Sequence, residues 1–222
     1  MPGLGADGHA SHAGSDDAKD DLGRTLDRQA VRQVIASAAL DDPAVRNLMG
    51  QLGEMHNTLG SLVSTVLSDS ERVAALHRTG LLDGPPRFEL DHLAALTAEA
   101  LGTPYAAVSL VDQDKQVLVG SNDGGEDSER TRPLEQSICK YAVASGEPLI
   151  VDDTSEHPLL ADSPVVQDGS VGSYAGIPVT DQRGHTVGTL CAWDSAPRHW
   201  TGSQIQILED LTAVVRAKIF AG

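Results

Sequence analysis

Two cysteines, Cys139 and Cys191, are the side chains of this chain best suited to chemistry. They are its only cysteines and lie far apart in sequence, which matches neither a disulfide framework nor a zinc-ligand spacing. A thiol becomes reactive when its pKa is lowered or a second thiol stands close. A buried free cysteine otherwise behaves as a small hydrophobe. The structural reading comes first here, and a redox switch is the sharper alternative. His92, His157 and His185 could ligate haem in principle, but they fall on helix, loop and turn positions that read as exposed. His9 and His12 sit in a segment rich in Gly, Ala, Ser and Asp, where only adventitious metal binding is expected. The sequence carries no Ser/His/Asp triad phrase, no phosphate-cradling glycine loop and no metal-ligand cluster. No cofactor and no metal are called for, and the chain is expected not to be an enzyme.

The element that must position Cys191 runs from Tyr174 to Asp194. Ala175, Ile177 and Val179 alternate with Tyr174, Gly176 and Pro178. Val187, Thr189, Cys191 and Trp193 then alternate with Gly188, Leu190 and Ala192. Neither half shows a clean polar face, so the pattern predicts a hairpin covered on both sides. Asp181 to Gly184 supplies its turn, with Gly184 able to take the positive φ of a bulged hairpin. Cys139 falls on a predicted short helix, Leu134 to Ser145, opened by Pro133 and stopped by Gly146.

Around these lie a helix over about 87–101 with Leu90, Leu93, Leu96 and Leu101 on its buried side, and strands over 106–112, 116–120 and 148–151. Residues 121–132 and 152–170 read as long loops, and a loop as long as the second is usually functional. A last helix starts at the capping box Thr201-Gly202-Ser203-Gln204 and carries Ile205, Leu208, Leu211, Val215 and Ile219.

The N-terminal third is organised differently. Residues 1–21 read as a disordered tail. Residues 22–70 read as a helical, coiled-coil-like extension. Within it Val45, Leu48, Leu52, Met55, Leu59, Leu62 and Val66 are spaced alternately three and four apart, which is a heptad seam. Gly50, Gly53 and Gly60 lie off it. The seam reads as a homodimer interface, the alternative being an amphipathic helix folded against its own domain. Asp69 interrupts the spacing, and Val73 and Leu76 resume it.

Composition sets outer bounds. The 222 residues suit one domain plus an extension, and 40% hydrophobic content supports a real core, although aromatics are only 3%. A net charge of -16 argues against a nucleic-acid partner, since phosphates would be repelled. No apolar run is long enough to cross a membrane, and the start lacks a signal-peptide pattern. With two unpaired cysteines, a reducing cytoplasm is the expected setting.

Taken in order, the phrases LHRTGLLDGPP, SLVDQDKQ, SICKYAVASGEPLIVDD, HPLLADSPVV, YAGIPV and GHTVGTLCAWD make residues 71–222 resemble a bacterial branch of the GAF domain family. That resemblance implies an α+β fold: a central antiparallel sheet with helices on one face, and a pocket on the other under the short helix and long loop. It implies a pocket drawing on Ser109, Val119, Tyr141, Leu159, Tyr174 and Trp193, with the loop 122–132. The family's cyclic-nucleotide signature is not found. The Cys-His pair of bilin-binding relatives is also missing from 152–170, which has His157 but no cysteine. Relatives that reduce free methionine sulfoxide use a loop cysteine that this chain lacks. The reading that follows is a stand-alone regulatory module that binds a small ligand or partner protein and signals as a dimer through that partner. The alternative is a thiol switch or sulfoxide-reductase-like enzyme using Cys139 and Cys191.

Overall fold

The computed structural model describes residues 25, 27–36, 53–84, 87–123 and 130–220, with backbone only for 53–58. Helix α1 spans Gly53–Leu67, α2 Ser70–Arg78 and α3 Phe88–Leu101. Strands β1 (Tyr105–Val111), β2 (Lys115–Ser121) and β3 (Thr131–Pro133) follow. After a single 3-10 turn at Leu134–Gln136 come α4 (Cys139–Ser145), β4 (Leu149–Val151) and α5 (Pro164–Gln167). The chain then forms β5 (Ser173–Thr180), β6 (Thr186–Asp194) and α6 (Gly202–Phe220).

The strands form one antiparallel sheet in the order β3-β2-β1-β6-β5-β4. Both strands of the hairpin β5–β6 are interior, with β6 beside β1 at the centre, as the two-sided apolar pattern predicts. Its turn closes as expected: Gly184 has φ 89°, and the Asp181 carboxylate accepts from the Arg183 and His185 amides at 2.8 and 2.9 Å. The predicted capping box also forms. The Gln204 side chain accepts from the Thr201 amide at 3.0 Å, and Thr201 Oγ1 accepts from the Gln204 amide at 3.3 Å.

Two apolar clusters sandwich the sheet. On one face α3 and α6, with the end of α2, cover Ala106, Val108, Leu110, Ile177 and Leu190. On the other, α1, α4 and the stretch before β5 cover Ala107, Val111, Leu118, Tyr174 and Cys191. Period-2 alternation divides the strand residues between the two clusters, except at the bulge in β6, where Val187 joins Leu190 and Ala192. α3 approaches closely: its buried side is Leu90, Ala94, Thr97, Ala98 and Leu101, and a Cβ on Gly120 would strike the Leu90 backbone. Leu96, expected on the buried side, is 39% exposed. The 3.6-residue period selects the small residues Ala94 and Ala98 instead, which permit the close approach.

The helical pattern before residue 80 breaks at Asp69, whose carboxylate accepts from the Arg72 amide at 2.9 Å and caps α2. The break redirects the chain. Leu59, Val63, Val66 and Leu67 enter one cluster, whereas Ala75 and Leu76 enter the other. Arg72 joins the pieces. It is fully buried, and its guanidinium donates to the Leu67 carbonyl and, at 2.8 Å, to the Val111 carbonyl. Segment 27–36 is helical and also docks: Val31 is buried, and Arg32 Nε donates to the Ser145 carbonyl at 2.7 Å.

Residues 152–170, expected to lack regular structure, contain α5 and are pinned inward. Thr154 donates its amide to the Gly172 carbonyl at 2.9 Å and its hydroxyl to the Val171 carbonyl at 2.6 Å. Leu159, Leu160 and Val165 are buried. Sparse aliphatic anchors, too irregular to show a period, fix this stretch.

Candidate functional site

The site is built where β6 passes between β1 and β5. Cys191 pairs with Ala107 on one side and Gly176 on the other, and Thr189 pairs with Ser109. By alternation Thr189, Cys191 and Trp193 share the face beneath α4. There Cys139, the first residue of α4, meets Cys191 with the sulfurs 3.8 Å apart. Both thiols are free and buried. The Tyr174 hydroxyl donates to Cys139 Sγ at 3.2 Å. Gly176 makes this possible, because a Cβ there would collide with the Tyr174 hydroxyl and ring. Trp193 is held by stacking on Tyr105, with centroids 5.4 Å apart.

The electrostatics separate the two thiols. Hydrogen bonding with the Cys191 thiol lowers the Cys139 pKa, and the Thr189, Tyr174 and Ser109 hydroxyls add to the effect against the opposing cost of burial. The same pairing, with burial, raises Cys191 well above its ordinary value. Burial likewise raises Tyr174, so its phenol stays a donor. The Ser109 and Thr189 hydroxyls are fully buried and close no hydrogen bond of their own, although both lie beside Cys139.

The thiols floor a cavity of about 160 Å³. Leu118, Ile138, Val165, Val171, Tyr174 and Trp193 form apolar and aromatic wall. Gln116, Arg132, Gln136, Asp168 and Ser170 contribute polar groups. Mostly apolar walls with a few converging polar groups are the usual make-up of a small-molecule site.

Of the expected pocket residues, Tyr174 and Trp193 are on the wall with both cysteines. Ser109 lies beside the thiols but off the wall. Leu159 is buried in the same cluster without reaching the cavity. Tyr141 faces a neighbouring niche of about 200 Å³ with Leu59, Val63 and Lys140. Val119 belongs to the opposite cluster. The pocket-facing residues of β2 are Gln116 and Leu118, so strand alternation turns Val119 towards the α3 side. Sequence reasoning placed the 152–170 loop over the pocket without naming Val165 or Asp168 as its wall, and passed over Gln116 and Gln136. The available signal was Gln116, a polar residue adjoining the apolar run Val117 to Val119 of β2.

The heptad seam divides. Leu59 and Val66 are buried in the chain's own cluster, with Leu62 packed against it. The side chain of Met55, and Val45, Leu48 and Leu52 altogether, lie outside the described residues. Residues 1–21 lie outside them too. Among the described residues, His, Cys, Asp and Glu nowhere gather in threes that could hold a metal ion. None of the described helices is long and apolar enough to cross a membrane.

Comparison with known proteins places this geometry. The chain is 29% identical over 153 residues to the cyclic di-GMP phosphodiesterase PA2567 of Pseudomonas aeruginosa, a match covering 68% of this chain and 26% of that protein. The chain thus spans about a quarter of that relative's length. The GAF domain of an Acinetobacter phosphoenolpyruvate-protein phosphotransferase superposes with a TM-score of 0.50 at 17% identity, covering 68% of this chain and 93% of that one. The type II free methionine-R-sulfoxide reductase of Thermoplasma acidophilum has the same score at 14% identity, covering 61% and 92%. The expectation of a chain without enzymatic activity is corrected by these matches, because its sequence relative and a fold neighbour both bear enzyme names. The GAF domain family model matches residues 89–219, more than half of the chain. With the antiparallel sheet and its helices in the family order, this chain belongs to the GAF domain family, whose role is sensory and regulatory.

Proposed function

We propose that this chain is a sensory domain that takes a small molecule into the cavity over Cys139 and Cys191 and passes its occupancy to a partner. The observation that carries this reading is the cavity itself, with apolar walls and the opposite charges of Arg132 and Asp168 both at its lining. Such a site suits a compact molecule with a zwitterionic or polar head and a short apolar body. Occupancy would be felt through Val165, Asp168 and Val171, which belong to the stretch over the sheet and touch the ligand space directly. A ligand shifts a conformational equilibrium only through differential affinity for its states, and contacts to this segment are where such a difference would arise. The match to part of a larger phosphodiesterase supports a domain that works alongside further machinery. A second copy docking along Val45, Leu48 and Leu52 is the proposed route to a dimer.

The test is native mass spectrometry of gently purified protein, followed by titration with free L-amino acids and short carboxylates while tryptophan fluorescence is read, with Trp193→Phe separating the Trp193 part from that of Trp200. A retained mass, or a saturable Trp193 response weakened by Arg132→Ala, is expected. Protein that is empty and whose fluorescence responds to none of these probes would defeat the reading.

A further inference from the structure

We propose that Cys139 and Cys191 form a dithiol–disulfide couple on the cavity floor, oxidised by a small hydroperoxide that enters through the cavity. The inference goes beyond the ligand reading, since it needs access to the cavity but not a resident ligand.

Three observations carry it. The first is convergence. The chain has only two cysteines, on elements 52 residues apart, and the fold brings their sulfurs to 3.8 Å. A disulfide needs about 2.05 Å, so the sulfurs must approach by roughly 1.8 Å, within reach of small side-chain rotations and a slight shift of α4. The second is access. Both cysteines line the cavity although their side chains are buried, so a molecule the size of a peroxide reaches them without unfolding. The third is the surrounding hydroxyls. Tyr174 donates to Cys139, and the buried Ser109 and Thr189 hydroxyls beside it have no partner. Unpartnered buried donors cost free energy. A thiolate or a sulfenate at Cys139 would give these donors a charged or more polar acceptor, whereas a purely space-filling cysteine has no use for them.

The chemistry balances with the hydroperoxide as the one co-reactant. The Cys139 sulfur attacks the distal peroxide oxygen, so an S–O bond forms and the O–O bond breaks. The thiol proton of Cys139 passes to the departing oxygen, releasing an alcohol, or water from hydrogen peroxide, and leaving a sulfenic acid. The Cys191 sulfur then attacks the Cys139 sulfur. The S–S bond forms, the S–O bond breaks, and the hydroxyl leaves as water with the Cys191 proton. Two electrons have passed from the two thiols to the peroxide. Cys139 is the attacking residue because its thiol is the more acidic of the pair. Closing the bond draws the start of α4 towards β6. α4 also packs against α1, which gives the oxidised state a mechanical outlet.

The experiment treats the folded full-length chain with hydrogen peroxide, then alkylates it in denaturant and maps peptides by mass. The couple predicts joint loss of both alkylatable thiols, a linked peptide containing Cys139 and Cys191, and full recovery with dithiothreitol. In Cys191→Ser, dimedone should capture a sulfenic acid at Cys139. In Cys139→Ser, peroxide consumption should fall by about tenfold or more. Circular dichroism checks each fold, with Cys→Ala versions as replacements where a serine variant does not fold. The proposal is overturned if folded wild-type protein keeps both thiols, if each cysteine over-oxidises separately, or if Cys191 is the residue captured. Disulfide formation in protein that ignores every Trp193 probe would uphold the couple and sink only the ligand reading. A ligand response without a disulfide would do the reverse.

Discussion

Replacing Gly176 by Ala is the sharpest probe of how this site is assembled. Gly176 pairs with Cys191, and the space above it is filled by the Tyr174 ring, which is 3% exposed. A new Cβ meets the Tyr174 hydroxyl and two ring carbons, all too close to coexist. The ring must therefore swing away, in a packed layer with little room. Overpacking of this kind costs about 1–3 kcal/mol. The hydroxyl also leaves Cys139, and a lost hydrogen bond adds about 0.5–1.5 kcal/mol. Against this, Gly→Ala at an unstrained position stabilises by about 0.4–1 kcal/mol through the unfolded state. The clash wins, and net destabilisation of roughly 1–3 kcal/mol is expected in urea titrations. Tyr174→Phe removes the atom nearest to the new methyl, so the double variant should lose less than the sum of the singles. The coupling should be on the order of 1 kcal/mol. Cys139 should also become less acidic, read as a raised pH midpoint for its alkylation. A Gly176→Ala protein as stable as wild type, with additive behaviour alongside Tyr174→Phe, would mean that Tyr174 does not lie over β5 as described.

Two further substitutions test the surrounding frame. Burial holds the His157 imidazole below its ordinary 6.5 while Nδ1 accepts from the Leu159 amide at 3.3 Å. Because the folded pKa is depressed, its contribution is complete above 6.5 and is lost as pH falls from there through the folded value. Denaturation at pH 7.5 and 5.5 should therefore show a smaller acid loss in His157→Asn than in wild type, and equal losses would contradict this. Leu59→Asp puts a charge into the cluster that holds Cys139, and should cost roughly 3 kcal/mol or more whatever the oligomeric state. Leu48→Asp with Leu52→Asp should instead yield monomers by sedimentation, and an unchanged mass would remove those positions from any interface.

Local rules made much of this protein legible without its structure. The β5–β6 hairpin follows from an apolar pattern on both faces and from Asp181 and Gly184 in the turn. The start of α6 follows from Thr201 and Gln204, and the stop of α4 from Gly146. These features depend on neighbours within four or five residues, so sequence spacing carries them directly. The order of elements was enough to show the family resemblance and the sheet that goes with it. Other features depend on which segments meet across the sheet. Val119 was misplaced because the parity of β2 is fixed by its packing against α3. Leu96 faces out because close approach favours Ala94 and Ala98. A heptad spacing requires a covering surface without naming it, and the fold assigns Leu59 and Val66 to the chain's own core. Cys139 and Cys191 show the division most plainly. Each looked like an ordinary small hydrophobe on its own element. Their approach to 3.8 Å beneath Tyr174 exists only because α4 docks over β6 and Gly176 leaves the ring its space.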